Sequence, residues 1–211
     1  MKKLLHIVAT PRSDESRTLQ ISQAFLDVFN RTHQGWVVEL LDLTRENLPS
    51  LTMKRVDGKY VLLDGKELYG DLKEAWQEII AHIERFNSAD AYLLSTPMWN
   101  FSIPYFLKHY IDIIVQPKFL FRYTPTGVEG LVKGKKMMVI ISRGGDYSSD
   151  SPEISKDFQK PYLRSIFGFV GLTDMDFIIA QPMDIDIETQ KARLAQAKND
   201  AIATAEKFIK E

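Results

Sequence analysis

Cysteine is absent from the 211-residue chain. This excludes disulfide bonds, thiolate nucleophiles, iron–sulfur clusters and cysteine-based zinc sites, so any redox chemistry must use a bound cofactor. A run of about 18 to 20 apolar residues, long enough to span a membrane, is also lacking. The apolar residues near the N-terminus end at Pro11 and Arg12, too early for a signal peptide. We therefore expect a cytoplasmic protein with no membrane partner.

An excess of charge of one sign is lacking too. The chain has 27 basic and 28 acidic residues and a net charge of -1. Because a broad basic surface is needed to neutralise phosphates, nucleic acids are not expected partners. Hydrophobic residues make up 45% and charged residues 26%, close to globular averages. This composition and length predict one domain over residues 1–211.

Five short apolar runs predict buried β-strands at residues 4–9, 37–41, 91–95, 137–141 and 177–180. Between them lie stretches with apolar residues at helical spacing, and a last such stretch predicts a terminal helix with Leu194, Ala197, Ala201, Ala205 and Phe208 on one face. This alternation predicts an α/β fold, a doubly wound, five-stranded parallel sheet of flavodoxin-like order 2-1-3-4-5 with helices on both faces.

Two segments do not fit the alternation. Residues 44–70 are polar, turn-rich and long for a connection, and they could form a lid or a subunit contact. Residues 119–134 contain two short apolar runs that flank a turn-rich centre, a pattern typical of a hairpin.

The loop after the first predicted strand, residues 10–18, is rich in hydroxyl and charged side chains. Ligands of parallel α/β sheets bind outside the carboxyl ends of the strands. A phosphate could accept hydrogen bonds there from Thr10, Ser16 and Thr18, from nearby guanidinium groups and from the N-terminus of the next helix. From this loop alone, the simpler interpretation is that Ser16 caps the helix and the other residues form a solvated turn.

The loop after the third strand, residues 96–104, has two prolines that bracket Met98, Trp99, Asn100 and Phe101. This composition suits contact with a flat heteroaromatic ring whose edge bonds to the backbone. The alternative is that Trp99 and Phe101 are buried in the core. That alternative is weakened by the position of the loop, because an apolar loop at the ligand end of a sheet must be covered.

The loop after the fourth strand contains Ser142, Arg143, Gly144 and Gly145. Paired glycines permit a close approach of the backbone to a ligand and positive φ angles, or they form an ordinary turn. Taken together, the three loops could hold one mononucleotide, with its phosphate at the first loop and its flat ring at the other two.

Other chemistries are disfavoured. The chain has no glycine-rich dinucleotide or triphosphate motif and no Gly-x-Ser-x-Gly elbow of a serine hydrolase. The four histidines are dispersed without metal-ligand spacing, and no metal site is expected. His6 lies in a predicted core strand and His109 on a helix after Pro104, where structural or solvated roles are expected.

Four ordered motifs resemble one known family over nearly the whole chain. They are residues 97–101 (PMWNF), residues 121–130 (FRYTPTGVEG), residues 142–145 (SRGG), and residues 161–163 (PYL) leading to residues 167–169 (FGF). The chain is similar to the FMN-dependent NADH azoreductases, flavodoxin-like relatives of NAD(P)H quinone reductases once named acyl carrier protein phosphodiesterases.

The resemblance implies specific roles for these residues. It assigns the FMN phosphate to Thr10, Ser16, Arg17 and Thr18, and the isoalloxazine to Pro97, Met98, Trp99, Asn100 and Phe101. Ser142, Arg143, Gly144 and Gly145 would close the other edge of the ring. It also implies a homodimer with the flavin in its interface, where Tyr123 and Phe169, contributed by the partner subunit, would wall the substrate pocket.

Some positions depart from the family pattern. Thr10 replaces the more usual serine, while Arg17 and Thr18 stand where glutamine or serine often occurs. Tyr147 occupies a position that is histidine in some relatives, and Gln181 stands where many have glutamate. These changes affect the expected acceptor preference more than the cofactor.

The resemblance implies that FMN takes two electrons from NADH or NADPH and passes them, in a second step, to a quinone or an aromatic azo compound. A different hypothesis is a non-enzymatic, flavodoxin-like electron carrier or redox sensor that binds FMN. Carriers of that kind are usually acidic because charge steers their docking. The nearly neutral composition of this chain therefore favours an enzyme.

Overall fold

A computed structural model describes residues 1–209 of the chain, except for the side chain of Asp14. The strands are β1 (Lys2–Val8), β2 (Trp36–Asp42), β3 (Ala91–Pro97), β4 (Phe121–Thr124), β5 (Gly127–Gly130), β6 (Lys136–Ser142) and β7 (Asp174–Ala180). The helices are α1 (Arg17–Thr32), α2 (Met53–Leu63), α3 (Gly70–Asn87), α4 (Tyr105–Ile114), α5 (Lys160–Phe169) and α6 (Ile187–Ala205). Among these helices, none is both long and apolar enough to cross a membrane.

The main sheet has five strands in the order β2-β1-β3-β6-β7, and every neighbouring pair is parallel. All five predicted strands are present. The prediction of a flavodoxin-like α/β fold with a five-stranded parallel sheet is confirmed. The observed order reads 2-1-3-4-5 when β4 and β5, which form a separate two-stranded sheet, are left out of the numbering.

Alternate residues of the strands belong to two separate core clusters, as expected when successive side chains point to opposite faces. Leu5 and Ile7 of β1 pack in a cluster with residues of α3, α4 and α5. Leu4 packs in a second cluster with residues of α1 and α6. The central strands therefore read as continuous apolar runs, as in sheets covered by helices.

Residues 44–70 contain α2, a helix that the sequence analysis did not predict. Only Gly58 and Leu62 are buried on this helix, so no apolar stripe indicates it. Its backbone lies against α3, where Trp76 Nε1 donates a hydrogen bond of 2.9 Å to the carbonyl of Arg55. A Cβ at position 58 would lie 2.2 Å from Trp76 Nε1, so this contact requires glycine.

Two other expectations concern the hairpin and the C-terminal helix. The hairpin predicted within residues 119–134 is confirmed, because β4 and β5 pair in antiparallel register. The terminal helix is confirmed as α6, but it ends at Ala205. Phe208 follows in a turn and still reaches the core, with its ring centroid 5.3 Å from that of Phe25.

Candidate functional site

A pocket of about 190 Å³ lies at the carboxyl ends of the central strands. The loops after β1, β3 and β6, on which the three predicted motifs lie, all contribute to it, together with the loop after β7. Its lining comprises Thr10, Arg12, Ser16, Arg17, Pro97, Met98, Trp99, Ser142, Arg143, Gly144 and Asp184. Tertiary folding therefore brings most of the predicted cofactor residues together at one site.

The N-terminus of α1 opens onto this pocket. Ser16 is the N-cap, and its hydroxyl accepts a hydrogen bond of 3.3 Å from the N–H of Leu19. The interpretation of Ser16 as a cap is therefore confirmed. The N–H groups of Arg17 and Thr18 precede the first intrahelical hydrogen bond, so they remain available at the positive end of the helix dipole. This arrangement suits an anion.

Arg17, the predicted phosphate ligand, already has a carboxylate partner. Its Nη1 lies 2.5 Å from Oδ1 of Asp184, and both residues line the pocket. Asp184 is the more exposed member of the pair. A phosphate at the N-terminus of α1 would therefore share Arg17 with Asp184 or displace it.

Thr18 lies beneath the pocket rather than in its lining. The residue is fully buried, and its Oγ1 lies 2.7 Å from Oγ of Ser142 at the end of β6. The expectation that the Thr18 hydroxyl faces a phosphate therefore disagrees with the structure, because that hydroxyl joins α1 to β6. Its backbone N–H is the group that remains for an anion.

The loop after β3 is a tight turn with unusual backbone geometry. Trp99 and Ser102 exchange two backbone hydrogen bonds of 2.9 Å, and the two residues between them, Asn100 and Phe101, have φ angles of 47° and 69°. Asparagine tolerates this left-handed region, but a bulky residue such as phenylalanine is strained there. Such strain costs about 1–3 kcal/mol and concentrates at functional sites.

The aromatic residues of this turn are partly exposed. Trp99 is 36% and Phe101 43% exposed, so the alternative that both are buried core residues is wrong. Trp99 lines the pocket, whereas Asn100 and Phe101 lie outside its lining. The ring of Phe101 packs edge-on against Tyr147, with centroids 6.2 Å apart. These rings form an apolar rim beside the pocket.

Arg143 is only 2% exposed, and its guanidinium group is already paired. Nη1 and Nη2 each lie 3.0 Å from an oxygen of Asp157, while Nε donates to Gln159 and Nη1 to Gln181. Burial lowers the pKa of Arg143, and the charge of Asp157 opposes this effect. The guanidinium group therefore holds the surrounding loops together, and the backbone of Arg143 is what remains for the predicted contact with the ring.

The two glycines after Arg143 both lie at or near the pocket, but neither adopts a positive φ angle. The positive φ angles that paired glycines permit are thus not used here. Close packing explains Gly144 better, because a Cβ there would lie 2.4 Å from Oδ2 of Asp184. Gly145 is outside the pocket lining, and a Cβ there would lie 3.1 Å from the hydroxyl of Tyr147.

Tyr123 and Phe169, the predicted substrate-pocket residues, lie away from this pocket. Tyr123 is on the hairpin and is 64% exposed, and Phe169 is the last residue of α5. Both rings contact Phe121, with centroid distances of 5.8 and 4.7 Å. Gln159 at the start of α5 donates to the carbonyl of Pro97, which lines the pocket, whereas Phe169 lies at the other end of this ten-residue helix, about 15 Å along its axis.

Sequence reasoning missed Arg12 and Asp184 as pocket residues. Arg12 belongs to the hydroxyl-rich loop after β1, and its charge is the signal that could have identified it. Asp184 lies on the loop after the last strand, which carries none of the predicted site residues. The N–H groups of Met183 and Asp184 donate to the carbonyl of Gly144, and these bonds fold the last loop over the site.

A family model described as the flavodoxin-like fold matches residues 2–205. An FMN-dependent NADH:quinone oxidoreductase of Nitratidesulfovibrio vulgaris is 36% identical over 99% of this chain and 100% of its own length. A protein of the same name from Desulfotalea psychrophila is 38% identical over 99% of this chain and 98% of its own.

Solved structures agree with these relatives. The azoreductase of Bacillus anthracis strain Sterne superposes with a TM-score of 0.89 at 28% identity, covering 99% of this chain and 100% of that one. An FMN-dependent NADH-azoreductase of the Ames Ancestor strain, crystallised with FMN, superposes with a TM-score of 0.83 at 27% identity. The match covers 97% of this chain and 100% of that one. The chain therefore belongs to the flavodoxin-like family of FMN-dependent NADH:quinone oxidoreductases and azoreductases, and the resemblance noted in the sequence is confirmed.

Proposed function

We propose that the chain is an FMN-dependent NADH oxidoreductase that reduces quinones and aromatic azo compounds. The observation that carries this proposal is the pocket at the strand ends, where the three predicted loops meet at the N-terminus of a long helix. The names of the relatives supply the donor and the acceptor classes. Bound FMN would supply the electron transfer from NADH to the acceptor.

The phosphate of FMN fits the N-terminus of α1. In the proposal it accepts hydrogen bonds from the N–H groups of Arg17 and Thr18, while the Arg17 guanidinium balances its charge. The Thr10 and Ser16 hydroxyls lie in the same lining and add polar contacts. Thr18 supports this site through its bond to Ser142, which keeps the first turn of α1 against β6.

The flavin ring fits the loops after β3 and β6. Pro97, Met98 and Trp99 offer an apolar wall, with Asn100 and Phe101 at the rim. We assign the N–H groups of Gly144 and Gly145 to the edge of the ring that becomes negative on reduction, where such donors stabilise charge. Ser142 and the backbone of Arg143 complete this edge. The strained turn at Phe101 supports the assignment because strain concentrates at functional sites.

The proposal treats residues 1–211 as one FMN-binding domain with a doubly wound sheet of order 2-1-3-4-5. In such sheets the ligand binds where the strand order reverses, here between β1 and β3. The loops after these two strands are those assigned to the phosphate and to the ring. We also propose a cytoplasmic location, where NADH is available as the donor.

We further propose a homodimer in which Tyr123 and Phe169 of one protomer wall the substrate site of its partner. Two observations support it. Both residues lie outside the pocket lining of their own chain, Phe169 at the end of α5 and Tyr123 on the hairpin, and Tyr123 is largely exposed. The pocket holds about 190 Å³, less than the roughly 300–1,000 Å³ of typical ligand sites, so a partner surface is needed to complete it.

An absorbance experiment tests the cofactor and the reaction. FMN is added to the purified protein, followed by anaerobic NADH and then by a benzoquinone or an azo dye. We expect NADH to bleach the flavin band and the acceptor to restore it. Absence of FMN binding would refute the proposal, whereas binding without bleaching by NADH would favour an electron carrier or sensor.

Co-expression tests the partner contribution. Tyr123→Ala should slow reduction of the acceptor while FMN content stays unchanged, and Arg17→Ala should reduce FMN content. In a mixed dimer of these two variants, one site receives both an intact phosphate loop and an intact Tyr123. We expect this heterodimer to recover activity that neither homodimer has. If stable heterodimers form but show no recovered activity, Tyr123 does not contribute to the partner's site.

A further inference from the structure

A second cavity lies on the opposite side of the loop that follows β1. It has a volume of about 460 Å³ and is bounded by β1, β2 and α1. Ser13 and Leu19 line this cavity, whereas Arg12 and Ser16 line the pocket at the strand ends. The two sites therefore share one loop as a wall, but they are separate spaces.

The walls of this second cavity are largely apolar. The apolar residues are Val8, Leu19, Leu26, Val38 and Leu40, and the polar residues of the lining are His6, Ser13, Gln20, Gln23 and Asp42. Because β2 is the edge strand of the sheet, its outer part is incompletely covered, and Leu40 is 57% exposed. The cavity thus has the size and apolar lining typical of small-molecule sites, with Leu40 beside its opening.

His6 also lines the cavity, at the end of a chain of buried hydrogen bonds. We assign the proton of Ser22 Oγ to the carbonyl of Thr18, 2.9 Å away, so that Ser22 accepts from Ser95 Oγ at 2.6 Å. Ser95 has then used its proton and must accept from His6 Nε2, at 2.8 Å. His6 is therefore assigned the tautomer with hydrogen on Nε2.

The other ring nitrogen, Nδ1, is left as a hydrogen-bond acceptor. The residue is only 6% exposed, and no group in the described part of the chain forms a hydrogen bond with Nδ1. Burial lowers the pKa of His6 to about 4, although the charge of Asp42 opposes this, so the ring is neutral at physiological pH. The carboxylate of Asp42 also lines the cavity, and this charge disfavours an anionic ligand.

We propose that this cavity is a second small-molecule site, which binds a neutral, mostly apolar molecule carrying one N–H or O–H donor to His6 Nδ1. Because His6 lines the cavity, its Nδ1 acceptor is accessible to a donor group of a bound ligand. An apolar body would cover the aliphatic walls. A ligand without a donor would bury the acceptor and leave it unsatisfied.

Aromatic amines and hydroquinones, the products of azo and quinone reduction, belong to this chemical class. The inference that such products occupy the cavity rests on the proposed function, whereas the site itself does not. A product bound here would contact the loop that also borders the proposed FMN phosphate site.

Calorimetric titration of the FMN-loaded protein with α-naphthol tests the site. Leu40→Arg places a long charged side chain beside the opening of the cavity, and Val37→Arg is the matched control, because Val37 is also exposed but points to the other face of the same strand. We expect Leu40→Arg to weaken binding at least about tenfold and Val37→Arg to leave it unchanged. In the unaltered protein, the methyl ether of α-naphthol, which has no donor, should bind about tenfold more weakly.

Equal affinities in Leu40→Arg and Val37→Arg would overturn the proposal and assign α-naphthol to another place, such as the flavin face. Equal affinities for α-naphthol and its methyl ether would overturn the role of His6. Retention of the flavin absorbance band is recorded in every sample. A failure of FMN binding is thereby distinguished from a failure of the second site, and titration of the flavin-free protein should give the same ranking of variants.

Discussion

Nη1 of Arg17 lies 2.5 Å from Oδ1 of Asp184, although the two residues are far apart in sequence. The cation expected to bind a phosphate is thus partly neutralised by a carboxylate from the loop after β7. A phosphate at the N-terminus of α1 would be attracted by Arg17 and repelled by Asp184. This pair gives the site a weaker positive potential than the sequence of the first loop suggests.

Asp184→Asn should strengthen FMN binding. The substitution removes the negative charge and leaves Arg17 free to pair with the phosphate. For a partly exposed pair, the free energy of FMN binding should improve by about 1 kcal/mol, a roughly fivefold lower Kd. Fluorescence titration measures the Kd for FMN at low and at high salt, and the difference between the variant and the unaltered protein should be smaller at high salt. Asp174→Asn, at the opposite end of β7, removes an equal charge and should have no effect. A higher Kd in Asp184→Asn would contradict the prediction.

Phe101→Gly should be more stable than Phe101→Ala. Both variants lack the ring, but only alanine pays the roughly 1–2 kcal/mol cost of a left-handed backbone at φ 69°. Urea unfolding measures the difference. At Tyr105, in the first turn of α4, the same pair should rank in the opposite order because glycine is the poorer helix former. If alanine is the more stable residue at position 101, the strained turn is refuted.

Asp157→Asn should destabilise the protein by about 3–5 kcal/mol, because it leaves the buried charge of Arg143 without its counter-charge. Urea unfolding at a fixed FMN concentration checks this value. Asp112→Asn is the control: its partner Lys108 is exposed, so the expected loss is less than about 1 kcal/mol. Similar losses in the two variants would show that the Arg143 pair is not effectively buried.

When the pH is lowered below about 6.5, the unfolding free energy should decrease because of His6. Its pKa is about 4 in the folded protein, so the unfolded chain takes up a proton that the folded chain does not. The contribution of His6 to the free energy of unfolding is fully present above about pH 6.5. It decreases by up to roughly 3 kcal/mol as the pH approaches 4. The stability of His6→Gln, which cannot titrate, should depend less on pH. Parallel pH profiles of the two proteins would contradict this assignment.

The sequence by itself determined the five strands, the hairpin, most of the helices and the three loops of the site. These features follow from local patterns: apolar runs of strand length, apolar residues at helical spacing, and polar or glycine-rich ends. α2 was missed for the same reason, because only Gly58 and Leu62 of that helix are buried and no periodic stripe results. The parallel sheet then dictates that the loops after its central strands meet.

Only the tertiary structure decided which partners the charged and polar side chains have. Arg143 pairs with Asp157, and Arg17 with Asp184, across separations that no local pattern encodes. Likewise, the cavity beside His6 exists because α1 packs mainly over β3 and β6, while the edge strand β2 stays partly uncovered. Periodicity reports which face of an element is buried, whereas charge pairing and cavities depend on how the elements pack together.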